Sequence, residues 1–269
     1  MTGLLVRRGP DDEGFWTDGV GCALGFRRLA ILDLTPAGHQ PMVSDSGRSV
    51  IVFNGELYNF PELRAELEGA GVRFRSRSDT EVVLEALEHW GEAALERFNG
   101  MFALAWYSIA ERKLVLARDH AGIKPLFYRE GPGPGRVAFA SQLNCLVTEE
   151  AGGEPAVRED ALGLYLRLNY FPAPYTLYRG IQQLPAGCAL RVETGKPPRL
   201  WRWWSLPEAP APAKRPLEEL DERLEAALDG AVRRQRVADV PVGVFLSGGV
   251  DSPLVTALAG AQCGRDLKA

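Results

Sequence analysis

Phe245-Leu246-Ser247-Gly248-Gly249-Val250-Asp251-Ser252 joins the apolar run Val240 to Leu246 to a helix-like stretch from Pro253 to Ala261. Strand, Ser-Gly-Gly loop and helix in that order predict the opening of an α/β domain with a phosphate cradle. Glycines let consecutive backbone N–H groups converge on an anion, and the helix N-terminus adds the positive end of its dipole. Ser252 suits the helix N-cap and Pro253 the first helical position. The lateness of the motif implies that most of the domain it opens lies outside this sequence.

The 269 residues accommodate one large domain or two modest ones. A hydrophobic content of 46% and a charged content of 25% are ordinary for a globular protein. The net charge of −4, with no long basic run, gives no footprint for nucleic acid. No apolar stretch approaches membrane-spanning length, and Met1 to Arg8 lacks the apolar segment of a signal peptide. Cys22, Cys145, Cys188 and Cys263 are scattered without C-x-x-C spacing, as expected of reduced thiols in a cytoplasmic protein. The three histidines, His39, His89 and His120, are too far apart to suggest a metal site.

Strands are expected over 22–33 and 49–54, helices over 61–70 and 80–89, the second capped by Asp79 or Thr80. Strands at 102–107, 113–118, 125–129 and 137–140 resemble successive antiparallel hairpins, and 159–168 reads as a helix. The Pro- and Ala-rich segment Pro207 to Pro216 reads as a linker. Beyond it, Leu217, Leu220, Leu224, Leu228, Ala231 and Val232 fall at helical spacing and predict a core-facing stripe. The chain thus divides into an α+β domain at 1–205, a linker at 206–216, and the start of an α/β domain at 217–269.

A second cluster lies in the first domain: Arg28 at the end of one strand, Asn54-Gly55-Glu56 at the end of another, and Asp79 at a helix start. An amide-hydrolysing pocket for glutamine needs a guanidinium fork for the α-carboxylate and carboxylates for the α-ammonium. It also needs two donors aimed at the developing oxyanion. Arg28, the pair Glu56 and Asp79, and Asn54 with the Gly55 N–H supply these in turn. Each residue alone also suits a plain turn, cap or surface charge.

Read together, the motifs resemble the glutamine-dependent asparagine synthetase family over essentially the whole chain. The matching stretches are Arg8-Gly9-Pro10-Asp11-Asp12-Glu13-Gly14, Arg28-Leu29-Ala30-Ile31-Leu32-Asp33, Gly38-His39-Gln40-Pro41-Met42, Phe53-Asn54-Gly55-Glu56-Leu57-Tyr58-Asn59 and Ser78-Asp79-Thr80-Glu81. Gly100-Met101-Phe102-Ala103, Arg118-Asp119-His120-Ala121-Gly122-Ile123-Lys124-Pro125-Leu126 and Ser247-Gly248-Gly249-Val250-Asp251-Ser252 complete the series. The resemblance implies an N-terminal-nucleophile amidotransferase fold, two stacked antiparallel sheets between helix layers, that releases ammonia from glutamine. It implies a second, adenine-nucleotide-hydrolase-like domain that uses ATP and Mg²⁺ to adenylate aspartate and form asparagine, AMP and pyrophosphate. Arg28 would hold the α-carboxylate of glutamine, Glu56 and Asp79 its α-amino group, and Asn54 and Gly55 the oxyanion. Ser247, Gly248, Gly249 and Ser252 would cradle the phosphates, Asp251 would help with magnesium, and Leu246 would lie against the nucleotide. Full-length bacterial relatives imply a homodimer.

The sequence departs from this pattern in one decisive respect. The family's nucleophile is a cysteine at the mature amino terminus, and here no Cys precedes Cys22, expected inside a strand as a packed thiol. Thr2 is discounted as a replacement because it lies just upstream of Arg8. Gln142 and Pro253 stand where the family has Glu and Ser. A piece cut at both ends, lacking its first strand and inactive by itself, is therefore expected. The alternatives are a non-catalytic glutamine-binding module and an amide-forming enzyme of the β-lactam synthetase or lasso-cyclase kind. A different ATP pyrophosphatase is a weaker possibility.

Overall fold

The computed structural model describes residues 1–147, 155–208, 215–263 and 267–268. The chain divides into two compact units, Met1–Ser205 and Leu206–Ala269.

The first unit is α+β, and its centre is a six-stranded antiparallel sheet. In chain order its strands are β3 (Met42–Val43), β4 (Ser49–Leu57), β5 (Gly100–Ser108), β6 (Lys113–Arg118), β10 (Cys188–Glu193) and β11 (Arg199–Arg202). Their spatial order is β11-β10-β6-β5-β4-β3. Alternation along β4 and β5 sorts the side chains into two rows. Ile51, Phe53, Phe102, Leu104 and Trp106 face α1 (Phe60–Gly69) and α2 (Asp79–Trp90), and pack with Leu63, Leu67, Val83, Leu84 and Leu87. Val50, Val52, Ala103, Ala105 and Tyr107 face the opposite way, toward two smaller sheets. One is the hairpin of β1 (Asp12–Thr17) and β2 (Ala23–Arg28); the other orders β8 (Val137–Ala140), β7 (Phe127–Glu130) and β9 (Ile181–Gln183). Two short 3-10 turns, Thr2–Leu5 and Leu143–Leu146, cover the far side of the three-stranded sheet, while α3 (Glu159–Leu168) buries only Ala161.

Several local expectations need correction. The strand expected over 22–33 stops at Arg28, because residues 29–35 turn back to wrap the Arg28 guanidinium. Cys22 lies in the β1–β2 turn, one residue ahead of the strand, where its N–H donates to Asp18 Oδ1 at 2.9 Å. The strand expected to end at residue 54 runs on to Leu57. The cap of α2 is Ser78, whose Oγ accepts the Thr80 N–H at 3.1 Å; this leaves the Asp79 side chain for another partner.

In the second unit, α4 (Leu217–Arg234) and α5 (Asp251–Cys263) pack together, with Gln262 Nε2 donating to the Asp229 carbonyl at 3.1 Å. The run 240–246 forms no strand; among the described residues it makes only an isolated bridge, Gly243 to Lys268. Without a sheet to cover it, the expected core stripe stays open: α4 buries no residue, and Leu217, Leu220 and Leu224 are exposed. Residues 209–214 of the linker lie outside the described residues. No described helix is long and apolar enough to cross a membrane.

All six tryptophans, Trp16, Trp90, Trp106, Trp201, Trp203 and Trp204, belong to the first unit, so their fluorescence reports its unfolding. Leu84 is fully buried on α2, and Leu84→Ala is expected to cost about 2–5 kcal/mol in urea unfolding followed by that signal. Leu166→Ala on the exposed face of α3 should change stability by no more than about 0.5 kcal/mol.

Candidate functional site

The inter-sheet row of β4 changes character along its length. Val50 and Val52 belong to the apolar core, and the same row continues with Asn54 and Glu56. Opposite them on β5 are Ala103 and Met101, and the small Ala103 leaves space in front of Asn54. A cavity of about 500 Å³ opens there, within the range of small-molecule sites. Arg28, Asn54, Gly55, Glu56 and Asp79 all line it, so the structure brings all five expected residues of the first cluster together.

The backbone of β4 supplies a donor as well. Phe102 spends its N–H on Asp119 Oδ2 and its carbonyl on the Asp119 N–H, both away from β4. Gly55 pairs across from Phe102, so alternation turns Phe53, Gly55 and Leu57 toward the edge of β4 that extends past the short β3. On that edge Gln40 Oε1 accepts the Phe53 N–H at 2.7 Å, and Asp79 Oδ2 accepts the Leu57 N–H at 2.9 Å. The Gly55 N–H lies between these two capped positions. Glycine is required there: a Cβ would come 2.2 Å from the Met101 carbonyl oxygen. Beside it, Asn54 Nδ2 is buried and has no hydrogen-bond partner among the described residues. A buried amide donor without an acceptor is costly, and here it faces a cavity.

The carboxylates are tuned by burial. Burial pushes Asp79 from 3.8 up to about 6, against the hydrogen bond from the Leu57 N–H, and the neighbouring Glu56 charge raises it further. Burial also raises Glu56, while Lys124 pulls it down. Two carboxyls sharing a half-buried cavity strongly favour a cationic ligand group between them.

Arg28 is more committed than expected. Its Nη1 donates to the Thr35 carbonyl at 3.2 Å, and its Nη2 to those of Leu32 and Asp33 at 3.0 and 2.6 Å. The guanidinium therefore clamps the 29–35 loop at the cavity wall, with part of its donor fork already occupied. Asp33 fastens this loop to the start of α2. Burial opposes its charge, but hydrogen bonds from Thr35 and the Arg77 N–H hold its carboxyl below the usual range.

No thiol in the cavity is activated. Cys145 borders it but is buried, and burial raises its thiol. Cys22 is pushed up to about 12, by burial first and by Asp18 second. Neither is a thiolate at neutral pH. Thr2, discounted from its sequence position, does border the cavity, with its methyl packed toward Gly25 of β2. Gln40 and Lys124, both cavity-lining, had no role assigned from sequence; they sit inside matched stretches, but nothing in their spacing singles them out.

In the second unit, the Ser247 N–H donates to Ser252 Oγ at 2.9 Å and the two hydroxyls lie 2.7 Å apart. Ser252 thus ties the two ends of the loop together and is not the N-cap, since α5 already starts at Asp251 and Pro253 is its third residue. Gly248 and Gly249 are exposed, and a Cβ at Gly248 would meet nothing within 4 Å. The loop is open to an anion at the N-terminus of a 13-residue helix. Asp251 is the carboxylate of that first turn, and no group of three or more possible metal ligands occurs among the described residues.

Two family models match the chain: one described as a glutamine amidotransferase domain over residues 1–204, the other as asparagine synthase over residues 223–269.

The chain belongs to the glutamine amidotransferase family.

Relatives named as glutamine-hydrolysing asparagine synthetases match along both stretches. Asparagine synthetase 1 of Bacillus subtilis is 34% identical over 259 residues, covering 96% of this chain and 40% of that protein. Asparagine synthetase 3 of the same organism is 34% identical over 279 residues, covering all of this chain and 43% of its own. A Mycobacterium tuberculosis protein provisionally named a glutamine-hydrolysing asparagine synthetase is 39% identical over 269 residues. The chain spans about two fifths of the length of these relatives. Among solved structures, glutamine phosphoribosylpyrophosphate amidotransferase of B. subtilis aligns at 18% identity and a TM-score of 0.48, over 68% of this chain and 35% of that one.

Asp79 gives a signed pH prediction. Its folded pKa lies above its unfolded value, so its contribution to stability is complete below about 4 and is lost as pH rises through about 6. Asp79→Asn is expected to gain about 1–2 kcal/mol on the parent chain between pH 5 and pH 8, read by urea unfolding at both pH values. An unchanged difference would show that Asp79 does not titrate in this range.

Proposed function

We propose that this chain is the glutamine-recognising part, with the opening of the nucleotide-binding part, of a glutamine-dependent asparagine synthetase. The observation that carries this is Asn54 Nδ2, a buried donor without an acceptor among the described residues, next to the Gly55 N–H and beside two carboxyls. The side-chain amide of glutamine would place its oxygen against these two donors, and its α-ammonium between Glu56 and Asp79. Arg28 would meet the α-carboxylate with the part of its fork that the 32–35 carbonyls leave free. During amide cleavage the charge developing on that oxygen is stabilised by the same donors, which need no reorganisation.

Ser247, Gly248, Gly249 and Ser252 would hold the phosphates of ATP, with Leu246 against the nucleotide and Asp251 toward Mg²⁺. When bound, ATP would supply the adenylation that activates aspartate for ammonia. The open loop ahead of a helix N-terminus fits a phosphate, and a single carboxylate is an ordinary protein contribution to a phosphate-bound Mg²⁺. The resulting activity would be that of a ligase in asparagine biosynthesis, in the cytoplasm, and dimeric in the full-length protein.

A second possibility, binding of glutamine without hydrolysis, is favoured by one observation: the thiols near the cavity are held protonated. Covalent catalysis needs an activated nucleophile, and neither Cys22 nor Cys145 is one. Titration calorimetry on this polypeptide is therefore expected to show saturable, micromolar binding of L-glutamine and none of D-glutamine. A coupled ammonia assay should give no rate above background. Failure to bind L-glutamine would overturn the site assignment, and a genuine glutaminase rate would overturn the reading of binding without hydrolysis.

A further inference from the structure

Lys124 has no role so far, yet the structure fixes it unusually well. Fully buried Asp119 accepts the N–H groups of Ala121 and Ile123 at 3.1 and 2.9 Å through Oδ1, and that of Lys124 at 3.0 Å through Oδ2. Buried Arg118 grips the same loop from the other side, donating to the carbonyls of Lys124 at 2.7 Å, Gly122 at 2.5 Å and Leu184 at 2.7 Å. Both backbone groups of Lys124 are thus held by buried charged side chains.

The side chain so placed is half-buried and lines the cavity with Glu56 and Asp79. Its ammonium makes no hydrogen bond or close ion pair among the described residues. The neighbouring cations differ: Arg28 already donates to three carbonyls, Arg27 pairs with Glu13 at 2.5 Å, and Arg8 is exposed. An uncommitted cation in a partly dry cavity interacts at longer range than it would in water. Burial and Lys124 oppose each other at Glu56, and Asp79 and Tyr58 are the other titratable groups coupled to it.

We propose that Lys124 is a positioning residue of this cavity: held by the Arg118–Asp119 clamp, its ammonium is the countercharge to Glu56 in the empty cavity, until the α-ammonium of the ligand replaces it. This rests on the cavity being the glutamine site. A lysine suits such a role better than an arginine fork, because a point charge on a flexible stem can withdraw when a second cation enters.

The test compares the parent chain with Lys124→Met and Lys124→Arg. Carbon-13 NMR of the Glu56 carboxyl in the ligand-free protein is expected to show its titration midpoint moved upward in Lys124→Met and restored in Lys124→Arg. Calorimetry with L-glutamine should show Lys124→Met weakened about tenfold at pH 6, with most of the loss recovered at pH 8. Methionine keeps the apolar stem, so a merely structural role would give an equal loss at both pH values and an unmoved midpoint; that result overturns the proposal. If the parent chain itself fails to bind L-glutamine, the glutamine assignment falls, and the Glu56 midpoint alone still decides whether Lys124 is its countercharge.

Discussion

The hydrogen bond from the Leu57 N–H to Asp79 Oδ2 holds the site together. It ties the first residue of α2 to the free edge of β4, and so brings two carboxyls from distant parts of the sequence into one cavity. The bond also has a cost. Asp79 is buried, its charge is disfavoured, and the backbone donor that anchors it only partly compensates. Ser78 makes the arrangement possible by taking over the cap of α2. A carboxyl destabilised in this way, next to a second one, is what an incoming ammonium group would relieve.

The same free edge explains why the donors lie where they do. Gln40 takes both polar groups of Phe53, through its amide oxygen at 2.7 Å and its amide nitrogen at 3.3 Å. The N–H groups of Phe53 and Leu57 are thus taken, and the Gly55 N–H lies between them on the same edge. Asn54 sits on the adjacent row, facing between the sheets, where a side chain larger than Ala103 on the neighbouring strand would fill the space. The oxyanion pair thus follows from strand alternation plus two side-chain caps.

Much of this was legible in the sequence. Periodicity locates β4, β5, β6, α1, α2 and α3 closely, and Arg28, Asn54, Gly55, Glu56 and Asp79, grouped by residue type, line one cavity. What escaped was set by long-range contacts. The end of β2 at Arg28 is decided by carbonyls that turn back to meet the guanidinium, and the cap of α2 by which of three adjacent polar residues Leu57 recruits. Lys124 is placed by Asp119 and Arg118, whose grip has no local signature. In the second unit the helices formed where expected, but the apolar run 240–246 did not become a strand. A leucine stripe identifies an apolar face; it does not supply the surface that covers it, and Leu217, Leu220 and Leu224 remain exposed.

The central claim is that Asn54 and Gly55 form a donor pair aimed at the amide oxygen of glutamine. The most direct measurement is a nitrogen-15 NMR titration of the chain with L-glutamine, following the Asn54 side-chain amide and the Gly55 backbone amide. Both should shift together and saturate at one affinity, while the amides of Phe53 and Leu57, already bonded to Gln40 and Asp79, move little. Saturating shifts confined to other parts of the chain, with Asn54 and Gly55 unmoved, would contradict it.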